Sequence, residues 1–290
     1  MRRLVLALAL GGIVVTAGCA STGPGSAPAT LDKIKATKTI ALGYRDSSIP
    51  FSYTGPTKEP MGYSVDLCTR VVEDLRRDLK LPDLQARWVP VGVETRVRAL
   101  VDGTIDLECG STTNTLSRQE RVDFSLTTFI TGASMLALAG TGVSGQLGAI
   151  RIAVIPGTTT EQVVKQAMAG MGATADTARL VPVKDHADGL AAVVDRRAEV
   201  YATDRAILMG LVTSASNPRQ FALLDRYLSY EPYALMMRRA DPEFRLAVNR
   251  TLARLYRSGD VLDIYRRWFG QWGDPGALTL GMYAVEGIPE

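Results

Sequence analysis

Nine consecutive residues, GSTTNTLSR from Gly110 to Arg118, carry five hydroxyl side chains, an asparagine and an arginine, directly after the strand-like TIDLEC. Polar groups at the end of a buried strand must find partners, because an unpaired buried donor or acceptor costs free energy. Thr115 stands where it can cap the following helical turn, and Arg118 lies inside that turn. Arginine presents a planar fork that grips a carboxylate with two parallel hydrogen bonds. Read alone, Arg118 is a surface arginine paired with Glu120 or Asp123. A second stretch has the same layout: PGTTTEQVV, Pro156 to Val164, follows IRIAVI and opens a helix, with Thr158 and Glu161 spaced as a capping box. Gly157 permits close approach, and the free N–H groups of the first turn with the threonine hydroxyls suit an anion. No Gly-rich phosphate pattern with a lysine accompanies them, so a small carboxylate fits better than a nucleotide. Two such strand ends in one chain point to a ligand, since ligands of open α/β sheets gather at the carboxyl ends of strands.

The elements that must carry these residues alternate. TIALGY is followed by a helix with Val65, Cys68, Val72, Leu75 and Leu79 on one stripe, then by LQARWVPV. SMLALA, IRIAVI, the helix TEQVVKQAMAGM, ARLVPV, the helix DGLAAVVDRR, EVYAT and the helix DRAILMGLV repeat the theme, with a second sheet from about Thr131. YALMMRR then precedes a helix capped by Asp241, with Pro242 at its first position and a stop near Gly259, and a shorter aromatic helix VLDIYRRWFG. Such alternation is α/β architecture in two parts.

The chain has 290 residues, 46 % of them hydrophobic, enough for one large or two ordinary domains. Its 33 basic and 30 acidic residues are mixed, with no Lys/Arg block after Arg3, so no nucleic-acid footprint exists. MRRLVLALALGGIVVTAGC has the basic start, short apolar run and small residues of an export signal, and the run is too short to span a bilayer. TAGC, ending at Cys19, resembles the lipobox of bacterial lipoproteins, whose cysteine takes a diacylglycerol and becomes the new N-terminus. ASTGPGSAPAT, Ala20 to Thr30, reads as a flexible leash. Cys68 and Cys109 either pair outside the cytoplasm or remain buried thiols; no metal spacing surrounds them.

GYRDSSIPFSY (Gly43–Tyr53), GYSVDL (Gly62–Leu67), R-x-R-A-L-V-D-G-T-I-D (Arg96–Asp106), ECGSTTN (Glu108–Asn114), DFS (Asp123–Ser125), GTT (Gly157–Thr159), KDH (Lys184–His186) and SGDVLDIYRRWF (Ser258–Phe269) occur in this order. The set resembles the extracytoplasmic solute-binding proteins that feed polar amino acids to ABC importers, in their glutamate/aspartate-binding branch. The resemblance covers about Leu31 to Gly270. It implies a type II periplasmic-binding-protein-like fold: two α/β lobes, joined by two crossover strands, that close over an amino acid. Residues 31–130 and 231–270 would form lobe 1, residues 131–230 lobe 2, and residues 271–290 an extension without a functional reading.

Carried over one position at a time, Arg118 resembles the arginine that clamps the ligand's α-carboxylate, helped by Thr113 and by the helix start at Thr158 and Thr159. Asp204 resembles the acid that holds the α-ammonium, with Ser111 as a further acceptor; it also fits an N-cap of the helix RAILMGLV. Arg45, Arg96 and His186, the only histidine in the chain, resemble the basic set around a side-chain carboxylate. A buried extra carboxylate needs paired positive charge and several donors, and a histidine beside it would gain charge. The chain departs from the branch at Val93, where a small hydroxyl residue is usual, and in AGTGVSGQLGAIRI, which lacks the polar L-x-G-K lead and should alter a surface loop only.

The implied protein is a monomeric, lipid-anchored extracytoplasmic binder with an acidic amino acid as ligand and an ABC permease as partner, without cofactor or metal. An enzyme on the same fold, of dehydratase or lytic type, is the alternative. Against it stand a single histidine, no G-x-S-x-G elbow and no Cys/His dyad near spacing. The third class is the ligand-sensing subunit of a receptor.

Overall fold

Short β-branched strands and amphipathic helices alternate through the computed structural model, which describes residues 29–143, 150–170 and 179–290. The export signal, Cys19, nearly all of the leash and the centre of AGTGVSGQLGAIRI lie outside the described residues. In chain order the first half holds α1 (Thr30–Thr37), β1 (Thr39–Tyr44), β2 (Ser47–Ser48), β3 (Ser52–Thr54), β4 (Pro60–Met61), α2 (Tyr63–Asp78), β5 (Gln85–Pro90), α3 (Arg96–Val101), β6 (Leu107–Glu108), α4 (Leu116–Gln119) and β7 (Val122–Thr131). There follow β8 (Ala133–Leu138), β9 (Ile152–Val154), α5 (Thr159–Gly170), β10 (Leu180–Pro182), α6 (His186–Val194), β11 (Val200–Asp204), α7 (Arg205–Ser214) and β12 (Phe221–Leu223). The chain closes with β13 (Glu231–Arg238), α8 (Pro242–Ser258), α9 (Asp260–Phe269) and α10 (Ala277–Glu286).

Two five-stranded mixed sheets result, ordered β5-β1-β6-β13-β7 and β10-β9-β11-β8-β12, with a small β2-β3-β4 sheet beside them. In the first, β1 runs parallel to β5 and β6, while β13 runs antiparallel to β6 and β7. In the second, β9 is parallel to β10 and β11, and β8 is antiparallel to β11 and β12. The second sheet starts at Ala133, two residues after the expected Thr131. The chain crosses between the sheets twice: from β7 into β8 through Gly132 alone, and back from β12 to β13. The two connections touch, since a Cβ on Gly132 would run into the Ser229 carbonyl and the Tyr227 ring. Only glycine fits there.

Burial explains the strand and helix choices. Ile40, Ala41 and Leu42 of β1 are buried, as expected of a central parallel strand with helices on both faces. On α2 the buried stripe is Val65, Leu67, Cys68, Val71, Val72 and Leu75, close to the predicted one; Leu79 is the helix's C-cap and only partly buried. The open question about the cysteines is resolved by a Cys68–Cys109 disulfide, with Cα atoms 6.1 Å apart. Closing a loop of 41 residues this way stabilises by about 4 kcal/mol in the chain-entropy account. It also pins the end of β6, immediately before Gly110, to α2.

The helix from Pro242 to Ser258 has Asp241 as its cap and Gly259 in the left-handed conformation, φ 84°, as the sequence predicts. The extension forms α10, whose Tyr283 hydroxyl meets that of Tyr63 at 2.8 Å and whose Glu286 accepts from the Thr127 N–H of edge strand β7. No helix among the described residues is long and apolar enough to cross a membrane.

Candidate functional site

One wall of the site grows from the first sheet. Arg45 follows β1, and its N–H donates to Ser52 Oγ at 2.9 Å. Arg96 is the first residue of α3, whose Thr95 gives no side-chain cap. Its Nη1 donates to Thr112 Oγ1 at 2.5 Å, and Thr112 Oγ1 donates to Glu108 Oε2 at 2.9 Å. The fully buried Glu108 therefore orients Arg96 through Thr112. Gly110 makes this possible, because a Cβ there would collide with the Glu108 carboxylate. The following segment is stitched to β13 by Asn114 N–H to the Pro232 carbonyl and Ala234 N–H to the Thr112 carbonyl, at 2.8 and 3.1 Å. As predicted, Thr115 caps α4 by accepting from the Arg118 N–H. Arg118 is not paired with Glu120 or Asp123; its Nη1 donates to the Thr113 carbonyl at 2.7 Å.

The opposite wall grows from the second sheet. Gly157 takes φ 75°, and the next residue, Thr158, accepts from the Glu161 N–H at 3.1 Å. Glu161 reaches back to the Gly157 N–H at 2.8 Å, so the capping box closes one residue earlier than its usual form. Thr160 Oγ1 donates to Asp204 Oδ1 at 3.3 Å, and the Tyr233 hydroxyl donates to Asp204 Oδ2. Asp204 stands at the N-cap position of α7, yet its carboxylate makes no capping bond, which removes the capping explanation for this residue. Asp185 caps α6, leaving His186 as the first helical residue with Nδ1 2.7 Å from the Tyr201 hydroxyl.

All nine residues singled out in the sequence, Arg45, Arg96, Ser111, Thr113, Arg118, Thr158, Thr159, His186 and Asp204, line a single cavity between the walls, together with Val93, Thr160, Thr203 and Ile207. Its charges are poorly hydrated. Burial, then repulsion from Arg45, lowers the Arg96 guanidinium to about 9, so it stays a cation at neutral pH but a costly one. Burial also lowers Arg45 and Arg118. No hydrogen bond joins the Arg45 guanidinium to a protein acceptor among the described residues. Burial, then Arg45 and Arg96, lowers His186 to about 3, so with only these neighbours it is a neutral imidazole. Burial holds the Tyr201 phenol in its protonated form, so the contact between its hydroxyl and His186 Nδ1 joins two neutral groups. Asp204 is pushed up to about 7 by burial and then by the Glu231 charge.

Thr113 and Thr159 do not have free hydroxyls: both donate to Glu231 Oε2, at 2.6 and 2.7 Å. Glu108, Thr112, Thr160, Glu231 and Tyr233 were missed by sequence reasoning. Glu108 and Thr112 stand inside the quoted ECGSTTN, and Thr160 is the third threonine of GTTT. Glu231 has a faint signal, an acid immediately before the apolar run of β13. Among the described residues, no group of three or more His, Cys, Asp or Glu side chains could hold a metal ion.

A cleft between two α/β sheets, lined by arginines, hydroxyls and a carboxylate, defines a binder of small zwitterionic solutes. Residues 40–271 match the model of bacterial extracellular solute-binding proteins, family 3, and the chain belongs to that family. It is 37 % identical to the L-glutamate/L-aspartate-binding protein of Pseudomonas aeruginosa over 87 % of this chain and 83 % of that one. It is 33 % identical to the glutamate/aspartate import solute-binding protein of Salmonella typhimurium, covering 94 % and 88 % of the two chains. These relatives are binding proteins, not enzymes. The fold is similar to that of an ABC uptake transporter substrate binding protein from Streptococcus pneumoniae solved with bound histidine, with a TM-score of 0.75, 18 % identity and coverage of 84 % and 98 %.

Proposed function

We propose that this chain captures L-glutamate or L-aspartate between its two lobes and delivers it to the permease of an ABC importer, while Cys19 carries a lipid tether. One observation carries the acidic preference: Arg45 and Arg96 are buried together in the cavity, repel one another, and have no carboxylate hydrogen-bonded to either guanidinium among the described residues. A ligand's side-chain carboxylate would relieve that repulsion, and His186 would add a neutral donor. Arg118 would clamp the α-carboxylate, with Ser111, Thr113, Thr158 and Thr159 around the ligand backbone. Asp204 would take the α-ammonium. The names of the relatives support the same ligand pair.

Closure follows from this division. Arg45, Arg96, Ser111, Thr113 and Arg118 belong to one wall and Thr158, Thr159, His186 and Asp204 to the other, so a ligand touching both biases an open–closed equilibrium towards closed. A thermal-shift panel of the common amino acids tests the reading. At a hundredfold excess over Kd, bound ligand adds about 2.7 kcal/mol, or about 5 to 10 °C in Tm for a chain of this size. No shift with either acidic amino acid would sink the proposal. The tether is tested separately by mass spectrometry of the mature N-terminus, which should begin at a diacylglycerol-modified Cys19.

A further inference from the structure

Glu231 opens β13, where the second crossover ends, and is 2 % exposed although it is not among the side chains lining the cavity. Its two oxygens collect hydroxyls from three directions. Oε2 accepts from Thr113 Oγ1 on the first wall at 2.6 Å and from Thr159 Oγ1 at the start of α5 on the second wall at 2.7 Å. Oε1 accepts from Ser229 Oγ at 2.6 Å, and Ser229 Oγ in turn accepts the Ala133 N–H at 3.1 Å, where the first crossover enters β8. One carboxylate thus ties both crossovers to both walls.

We propose that Glu231 is the latch of the closed cleft: it holds the walls together through Thr113 and Thr159 and so sets how much closed protein exists before a ligand arrives. The inference rests on the reading of this chain as a closing binder, but it assigns closure energy to a residue that the ligand does not touch. A carboxylate is the group suited to the task. It is acceptor-only and can receive three hydroxyls at once, and hydrogen bonds to an ionised acceptor are about twice as strong as neutral ones. These bonds exist only while the walls are together, because Thr113 and Thr159 sit on different lobes. Opening the cleft leaves at most one of the two on Oε2. A latch of this kind acts on every ligand equally, because apparent affinity scales with the fraction of competent, closed protein.

Glu231 also acts through charge, raising Asp204 and favouring the Arg118 cation, so the test must separate reach from charge. Glu231→Asp keeps the charge and retracts the carboxylate; Glu231→Gln keeps the shape and removes the charge. Small-angle scattering of the full chain without ligand reads closure, and titration calorimetry with glutamate, aspartate and glutamine reads affinity. The latch predicts that Glu231→Asp enlarges the radius of gyration of the free protein. It also predicts weaker binding of all three ligands by one common factor of between about ten and a hundred. Thr159→Val, which removes only the second wall's donor, should enlarge the free protein in the same way and keeps the test open if the Glu231 variants do not fold. Adding Glu231→Asp to Thr159→Val should change little further. A free protein of unchanged size in Glu231→Asp overturns the latch, as does a loss confined to the acidic ligands. Because the scattering needs no ligand, a failure of the glutamate/aspartate reading would show in the calorimetry of the unmutated protein and leave the latch independently testable.

Discussion

Two charged depressions on this molecule look alike in composition and behave as opposites. The larger is a surface groove between α2, α8 and α9, lined by Asp66, Arg70, Glu73, Asp74, Arg77, Arg254, Asp260 and Arg267 among others. Every arginine in it has an acid: Arg70 meets Glu73 at 2.9 Å, Arg77 meets Asp74 at 2.8 Å, Arg254 meets Asp74 at 3.0 Å, and Arg267 meets Asp66 at 3.3 Å. The cavity between the sheets is smaller and holds Arg45, Arg96 and Arg118 without such pairing. Charge density therefore does not mark the site. What marks it is desolvated cationic charge that Glu108 and Glu231 favour from a distance but that no carboxylate contacts directly among the described residues. The groove's arginines are already paired, so a solute anion would have to compete with acids of the protein for them.

The largest test of this contrast is Arg118→Ala. If the cavity's cations await a ligand, losing the α-carboxylate clamp should weaken every amino acid by about a thousandfold, measured by calorimetry with glutamate and glutamine. Lysine at this position should restore little of the affinity, since it cannot form the bidentate fork. Retained binding in Arg118→Ala would place the clamp elsewhere. Next in size, Arg96→Met should weaken glutamate by about a hundredfold while changing glutamine by only a few-fold. His186→Ala should do the same more mildly, by about tenfold, because a neutral donor is worth less than a cation. Equal losses for acid and amide would show that His186 supports the wall and not the ligand.

Asp204 gives the contrast a pH signature. Its carboxyl is pushed up to about 7 from 3.8, first by burial and then by Glu231, so the folded ligand-free protein holds a proton there that the unfolded chain has released. Stability from this group is full below about pH 4 and is lost as pH rises towards 7. Asp204→Asn should remove that decline, raising the Tm of the free protein at pH 8 by a few degrees while abolishing amino-acid binding. An unaltered pH profile in the variant would mean that Asp204 is ionised at no cost. In the native protein, capturing an ammonium near pH 7 should release the Asp204 proton, read as a buffer-dependent binding enthalpy.

The architecture and the cavity were legible to different degrees. Alternation of β-branched runs with 3.6-residue stripes identified β1, α2, β5, β8, β9, α5, β10, α6, β11 and α7, because burial on one face leaves a periodic trace in the sequence. The two- and three-residue strands β2, β3, β4 and β12 stand outside any such run and leave none. The nine site residues were found by resemblance and converge on one cavity, yet their states were not legible. Neutral His186, the Asp204 carboxyl pushed up to about 7 and the engaged hydroxyls of Thr113 and Thr159 depend on neighbours distant in sequence. Glu231 lies 118 positions from Thr113 and 72 from Thr159. No local pattern can place one acid on both.

The smallest effect belongs to the groove and has the opposite pH sign. Burial works against ionisation of Asp74, but hydrogen bonds from Arg77 and Arg254 outweigh it and hold the carboxyl below its usual range. A lowered carboxyl contributes stability above its unfolded value, and that contribution is lost as pH falls through the folded one. Asp74→Asn should therefore cost about 1 kcal/mol at pH 7, less at high salt, and the difference from the native protein should fade in acid. Glutamate affinity should stay within about twofold, since the change lies outside the cavity and removes only a charge that Arg77 and Arg254 already pair. Thermal melts across pH, run beside calorimetry, separate the two depressions. If Asp74→Asn impairs binding as strongly as Arg96→Met, the groove is coupled to the site, and pairing alone does not distinguish structural charge from charge kept for a ligand.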